Sequence, residues 1–248
     1  MISKLPRWIE YGAFLLAALA GTVNAIGLMG FQHQSISHLS GTVTLLGSSL
    51  YNANDLTLHL LFIVLSFMLG AAISGFYIES TALKRGRRYG IALCTEGALL
   101  FTALYVLVNG SLTGHYFASA ACGLQNAMIT TYSGAIIRTT HMTGLITDLG
   151  IMIGERLKGR PFDRRKATLF LFIIAGFVSG GTLGAALFKH FDLYALAFPA
   201  TFAFIIAFCY SIFLYVNKLT SKPSKNNTTN TLVTQTEQIA QNTNSINL

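Results

Sequence analysis

The chain has 248 residues, 52% of them hydrophobic and only 10% charged, with a mean hydropathy of +0.55. A soluble domain carries about 25% charged residues, so this composition argues against an ordinary soluble fold and for an all-α polytopic membrane protein. The formal charge of +8 could suit nucleic acid, but the basic residues sit in short clusters at the ends of apolar segments. That is how membrane proteins fix their orientation, and it argues against nucleic-acid binding.

Six stretches reach the length of about 20 residues that a membrane crossing takes. In chain order they are roughly 10–31, 58–79, 89–109, 115–137, 168–188 and 193–216. The first follows Lys4 and Arg7, as a signal peptide would, but no small-x-small cleavage pattern precedes the next span, and a signal-anchor helix fits better. Two shorter pieces, roughly 39–51 and 142–155, cover only about 20 Å each at about 1.5 Å per residue. Both are predicted to be broken or re-entrant half-helices. The transmembrane domain is therefore 1–217, and the stretch 218–248, rich in Asn, Thr, Gln and Ser, is expected to be a disordered cytoplasmic tail. Cys94, Cys122 and Cys209 lie in apolar stretches without CxxC spacing and read as small core residues, not as a disulfide or metal site.

One signature occurs twice. The first copy reads Gly21-x-x-Asn24-Ala25, then His38-Leu39-Ser40-Gly41-x-x-Thr44-x-x-Gly47. The second reads Gly123-x-x-Asn126-Ala127, then His141-Met142-Thr143-Gly144-x-x-Thr147-x-x-Gly150. The offset is 102 at Gly and Asn and 103 from His onward, so one inserted residue aligns the copies. Small and polar residues recurring in register within apolar surroundings point to duplicated broken helices that line a site. Phe67-x-x-Gly70-x-x-x-Ser74 and Phe177-x-x-Gly180-x-x-x-Gly184 repeat at an offset of 110; small-xxx-small spacing of this kind lets helix backbones approach, and it is compatible with a homodimer.

Charge tests the arrangement. Basic clusters lie at Lys4/Arg7, Lys84–Arg88, Arg156–Lys166 and Lys218/Lys222/Lys225, while the connections near 32–38, 52–57 and 110–115 hold no Lys or Arg. Six crossings, with neither short piece crossing, put every cluster on the cytoplasmic side together with both termini. Each repeat, about 10–109 and about 115–216, then holds three crossings, so the copies are inverted relative to each other. Inverted repeats with discontinuous helices meeting near the midplane are a recurrent plan of secondary transporters, and some channels share it.

The candidate site residues follow from the two breaks. Thr140 suits an N-cap of the second half-helix, whose N–H groups and positive end would face the interior and favour an anion or carboxylate. Arg138, His141, Thr143 and Gly144 surround it; His38, Ser40 and Gly41, with Ser37, match it in the first half. Asn24 and Asn126 either bridge helices or touch substrate, and Gln125 and Thr22 flank them less convincingly. Asp148 shares a helix face with His141 and Gly144. A carboxylate that deep needs a partner or a proton, so it is either the ion-coupling group or part of an internal pair with His141 or Arg138. Its counterpart is Leu45, which makes any charge chemistry asymmetric. Glu96, about two turns into its span, can reach the cytoplasmic interface and is a secondary candidate. Two histidines without Cys or carboxylate spacing are a weak metal signal, and no metal or cofactor is expected. The sequence has no HExxH, GxSxG, P-loop or dinucleotide fingerprint, so neither an enzyme nor an ATP-driven pump is expected.

Gly-Leu-Gln-Asn-Ala at 123–127 and Arg-Thr-Thr-His-Met-Thr-Gly at 138–144, with Gly21-x-x-Asn24-Ala25 and His38-Leu-Ser-Gly41-Thr-Val-Thr, resemble the bacterial YoaK-type family of uncharacterised membrane proteins, built on a domain of unknown function. The resemblance covers nearly all of 10–216. Ser40 stands where the second copy has Thr143 and the family pattern favours Thr; the hydroxyl is kept. The resemblance implies a multi-pass inner-membrane protein of the kind labelled a permease, without an established substrate. The leading expectation is a small secondary transporter for a small-molecule solute. The alternatives are a passive channel and a non-transporting module that binds a lipid or a partner protein.

Overall fold

The computed structural model describes residues 8–30, 38–52, 55–78, 88–132 and 139–220, and every element among them is helical. In chain order these are α1 (Trp8–Gly30), α2 (Leu39–Ser49), α3 (Asp55–Tyr77), α4 (Arg88–Val108), α5 (Gly114–Tyr132), α6 (Met142–Leu157), α7 (Arg164–Phe191) and α8 (Ala197–Thr220). Short 3-10 turns at Leu50–Asn52 and Asp192–Leu196 follow α2 and α7. The expectations for Lys4, Arg7, Ser37, the cluster from Lys84 to Arg87, Arg138 and the tail beyond Thr220 lie outside the described residues. The described residues up to Tyr210 form one compact unit, and Ser211–Thr220 fall in a second.

Four apolar stretches among the described residues are long enough to cross a membrane: Glu10–Gly30, Asp55–Tyr77, Arg88–Val108 and Arg164–Val216. The last contains α7 and most of α8, parted by the 3-10 turn at which Asp192 takes a φ of 50°. Many large apolar side chains face outward, among them Leu58, Phe62, Met68, Phe76, Leu171 and Val178. Exposed apolar surface on this scale suits hydrocarbon, not water. α5 is not among the four stretches. It is mostly buried between neighbours, so it can carry polar groups that a lipid-facing helix could not. Its Ser119 hydroxyl donates to the Ile63 carbonyl at 2.8 Å, and Gln125 Nε2 donates to the Leu16 carbonyl at 2.9 Å.

The closest helix pairs are α1 with α7 and α3 with α5, and both depend on glycine. Gly21 lies against the backbone of Phe177, and its sequence counterpart Gly123 lies against the backbone of Phe67. Gly180 meets Ala18 in the same way, and Gly70 meets Ala120. At each of the four an added Cβ would run into a carbonyl oxygen. Matching residues of the two copies thus make matching contacts. Both pairs run parallel: Glu10 and Arg165 meet at 3.4 Å near the starts of α1 and α7, and Gly30 meets Phe188 near their ends.

Two apolar cores mark the two ends of the bundle. One joins Ala13 of α1, Leu93 of α4 and Phe170 of α7, all early in their helices, to Ile78 and Met128 near the ends of α3 and α5. The other joins Ile26 and Leu107, late in α1 and α4, to Ala118 early in α5 and to Leu196 just before α8.

Hydropathy alone misplaced the start of α7 at 168. The helix begins at Arg164 because Asp163 caps it, its carboxylate accepting from the N–H groups of Arg165 and Lys166 at 3.1 and 3.0 Å. The first turn is basic, so an apolar window excludes it. Asp163→Ala is expected to cost about 1 kcal/mol, read as a lower unfolding midpoint in detergent. The placement of two cysteines departs from expectation: of the three free thiols only Cys122 is buried, Cys94 and Cys209 being exposed.

Candidate functional site

The two histidines of the duplicated signature hold equivalent backbone positions. His38 immediately precedes α2 with φ −99° and ψ 68°, and His141 immediately precedes α6 with φ −89° and ψ 58°. Neither side chain caps its helix. Thr140, expected as the cap of α6, is one residue too early for that. Its hydroxyl instead donates to Asn126 Oδ1 at 3.1 Å, tying the break to α5.

Both helix starts open on one cavity of about 560 Å³. His38 and Ser40 line it from the first break, Thr140, His141 and Thr143 from the second, and Asn126 from α5. Phe67 and Ala71 of α3 supply an apolar wall, and Thr130 and Thr131 extend the polar side. None of the described lining residues is acidic. With its Oδ1 held by Thr140, Asn126 has its NH₂ donor left to offer. The Ser40 hydroxyl pairs with His38 Nδ1 at 3.1 Å. Two helix starts, each equivalent to roughly +0.5 of an elementary charge, and a lining of hydroxyls, imidazoles and an amide suit an anion.

The other expected residues among the described ones do not line this cavity. Gly144 lets the His141 ring fold back over it; a Cβ there would collide with the imidazole. Gly41 has open space around it. Asn24 is half-buried on α1 and does not line the cavity. Thr22 donates to the Ala18 and Gly180 carbonyls at 2.9 and 3.0 Å, a packing role. Asp148 also lies outside the lining. Its partner is neither His141 nor a residue of its own helix but Lys166 of α7, at 3.8 Å, with the aspartate side chain 48% exposed. Glu96 does not reach an interface: it is 1% exposed.

The structure also joins three residues that sequence reasoning passed over. His59 Nε2 lies 3.0 Å from His115 Nδ1, and His59 Nδ1 lies 2.9 Å from the Tyr116 hydroxyl. A neutral imidazole has one donor and one acceptor, so the three form a directional chain between the starts of α3 and α5. His59 and Tyr116 also line a second cavity of about 650 Å³ with Asp55, Ser111 and Thr113. The available signal was an ionisable residue inside an apolar span, which is reason enough to look.

Among the described residues, no three His, Cys, Asp or Glu side chains converge as a metal site would require. Neither the curated proteins nor the solved structures compared with the chain match it. A family model described as a protein of unknown function (DUF1275) matches residues 12–209. That span takes in both signature copies, both breaks and the cavity between them, and the chain belongs to this family of proteins of unknown function.

Proposed function

We propose that the protein is a small secondary transporter that moves a small anionic or carboxylate-bearing solute through the cavity between its two breaks. The observation that carries the reading is the convergence of two helix starts, one from each signature copy, on a single polar cavity. Helix N-termini aimed at an anionic group beside discontinuous helices are a recurrent substrate site of transporters built from inverted repeats. The proposed topology has six crossings in two inverted halves, lies in a bacterial inner membrane and keeps both termini in the cytoplasm. Two features support it. The starts of α1, α4 and α7 share one end of the bundle, and the basic clusters precede those same helices in sequence. The matched glycine contacts of α1 with α7 and α3 with α5 are what a duplicated, inverted pair would make.

The test is uptake by proteoliposomes of labelled lactate, succinate and citrate, against amines and neutral analogues of similar size. Uptake of a carboxylate is expected, falling about tenfold or more in His141→Ala and in Thr143→Val as the hydrogen bonds they supply are lost. Uptake that neither substitution alters would place the pathway elsewhere. Flux that only follows the solute gradient, indifferent to ΔpH and Na⁺, would make the protein a channel.

A further inference from the structure

Glu96 takes no part in either break, yet it is the most deeply enclosed carboxyl group among the described residues. It sits about 12 Å along α4, a helix about 30 Å long at about 1.5 Å per residue. α4 buries the stripe Leu93, Glu96, Gly97, Leu100, Ala103 and Leu107, the spacing of a helix face turned inward. Leu93 belongs to one apolar core and Leu100 to the other, so the carboxyl group stands where the two meet. Among the described residues its Oε2 has no hydrogen-bond partner, and none of the described ion pairs includes it.

The surroundings decide what such a group can bind. From α5 the titratable group within its electrostatic reach is Cys122. From α8, Ala200 and Phe204 close over the adjacent Gly97, and from α1, Val23 and Ile26 enter the core shared with Leu100. An ionised carboxylate there would stand unpaired among hydrocarbon, a cost that intramembrane acids avoid by pairing or by taking up a proton. A hard cation needs several oxygen ligands together, and the side chains just named among the described residues are a thiol and apolar groups. The ligand that fits is a proton.

We propose that Glu96 is the proton-binding group that couples solute movement to a proton gradient, an inference that rests on reading the cavity as a transport site. α5 is the link. Cys122, beside Glu96, precedes the cavity residue Asn126 by one helical turn, and α4 packs along α5. To ionise, Glu96 must gain water or a partner, which requires the α4–α5 contact to open; the protonated acid favours the closed packing. Solute at Asn126 and a proton at Glu96 therefore bias the same helix, and each shifts the population that the other prefers. Asp148, by contrast, is half-exposed and paired with Lys166.

Two readouts on proteoliposomes of the full chain test this. The first is infrared spectroscopy without solute: a protonated-carboxyl C=O band is expected at neutral pH in the wild type and lost in Glu96→Gln. The second is uptake of labelled lactate, succinate and citrate with and without an inward-directed proton gradient. The gradient should stimulate wild-type uptake about tenfold, and Glu96→Gln should lose that stimulation while gradient-free exchange stays within about threefold. Glu96→Asp, which keeps the acid, should retain part of it. No infrared band in the wild type, or a band unchanged in Glu96→Gln, overturns the proposal. So does stimulation that survives in Glu96→Gln or is lost in Asp148→Asn instead. If the band behaves as expected but the wild type takes up no probe, the transport reading fails and the coupling role fails with it, while Glu96 remains a proton site.

Discussion

Gly123→Leu is expected to prevent the bundle from assembling, seen as loss of the monodisperse peak in size exclusion and of a cooperative thermal transition. Gly123 lies directly against the Phe67 backbone, and even a single added Cβ would meet the Phe67 carbonyl oxygen. Overpacking a core typically costs 1–3 kcal/mol because side chains shift to make room. Here the obstacle is backbone, so relief requires α3 and α5 to separate along their shared face, which also breaks the Ser119–Ile63 bond. A loss well above about 3 kcal/mol is a large share of the 5–15 kcal/mol that hold a typical domain together. The counterpart Gly21→Leu should fail to a similar degree, since Gly21 meets Phe177 in the same way. Gly12, also on a helix, has open space around it; Gly12→Ala should be neutral or stabilise by up to about 1 kcal/mol. A Gly123→Leu protein as stable as Gly12→Ala would mean that α3 and α5 do not pack through this glycine.

The features legible in the sequence were those written locally or written twice. The apolar spans are local, and α1, α3 and α4 begin and end within a few residues of where hydropathy set them. The starts of α2 and α6 were legible because His38 and His141 recur in register, and recurrence separates a repeated feature from chance. What escaped depends on partners distant in the chain. Thr140 has the composition of a helix cap, but its hydroxyl is claimed by Asn126, fourteen residues earlier. Asp148 suggested a partner among its own neighbours, and the observed one begins the next helix. Glu96 could be judged only once α5 and α8 were in place around it, because a helical position two turns from a membrane surface is wet or dry according to its neighbours. The His59–His115 pair likewise needs the parallel packing of α3 and α5, which neither helix encodes alone.

Asn126→Asp is expected to cut carboxylate uptake about a hundredfold, and far more than Asn126→Ala. The two side chains are nearly isosteric, and the aspartate can still accept the Thr140 hydroxyl bond now made to Asn126 Oδ1, so the break should keep its shape. What changes is charge: a full negative charge enters a cavity whose described lining holds no acid and opposes the positive ends of α2 and α6. At about 5 Å and an effective dielectric constant of about 20, two like unit charges repel by about 3 kcal/mol, or roughly two orders of magnitude in affinity. Asn126→Ala removes the amide donor and leaves the Thr140 hydroxyl without its partner, a loss of about 1–3 kcal/mol with no repulsion. Initial uptake rates at several carboxylate concentrations separate the two effects, with a thermal melt confirming that each variant is folded. Equal losses in the two variants would mean that Asn126 acts through hydrogen bonding and that the helix ends do not select for charge. Higher uptake of an amine in Asn126→Asp than in the wild type would show that the sign of the cavity is set by so few groups that one substitution reverses it, which is the outcome expected if the two helix starts supply most of its positive potential.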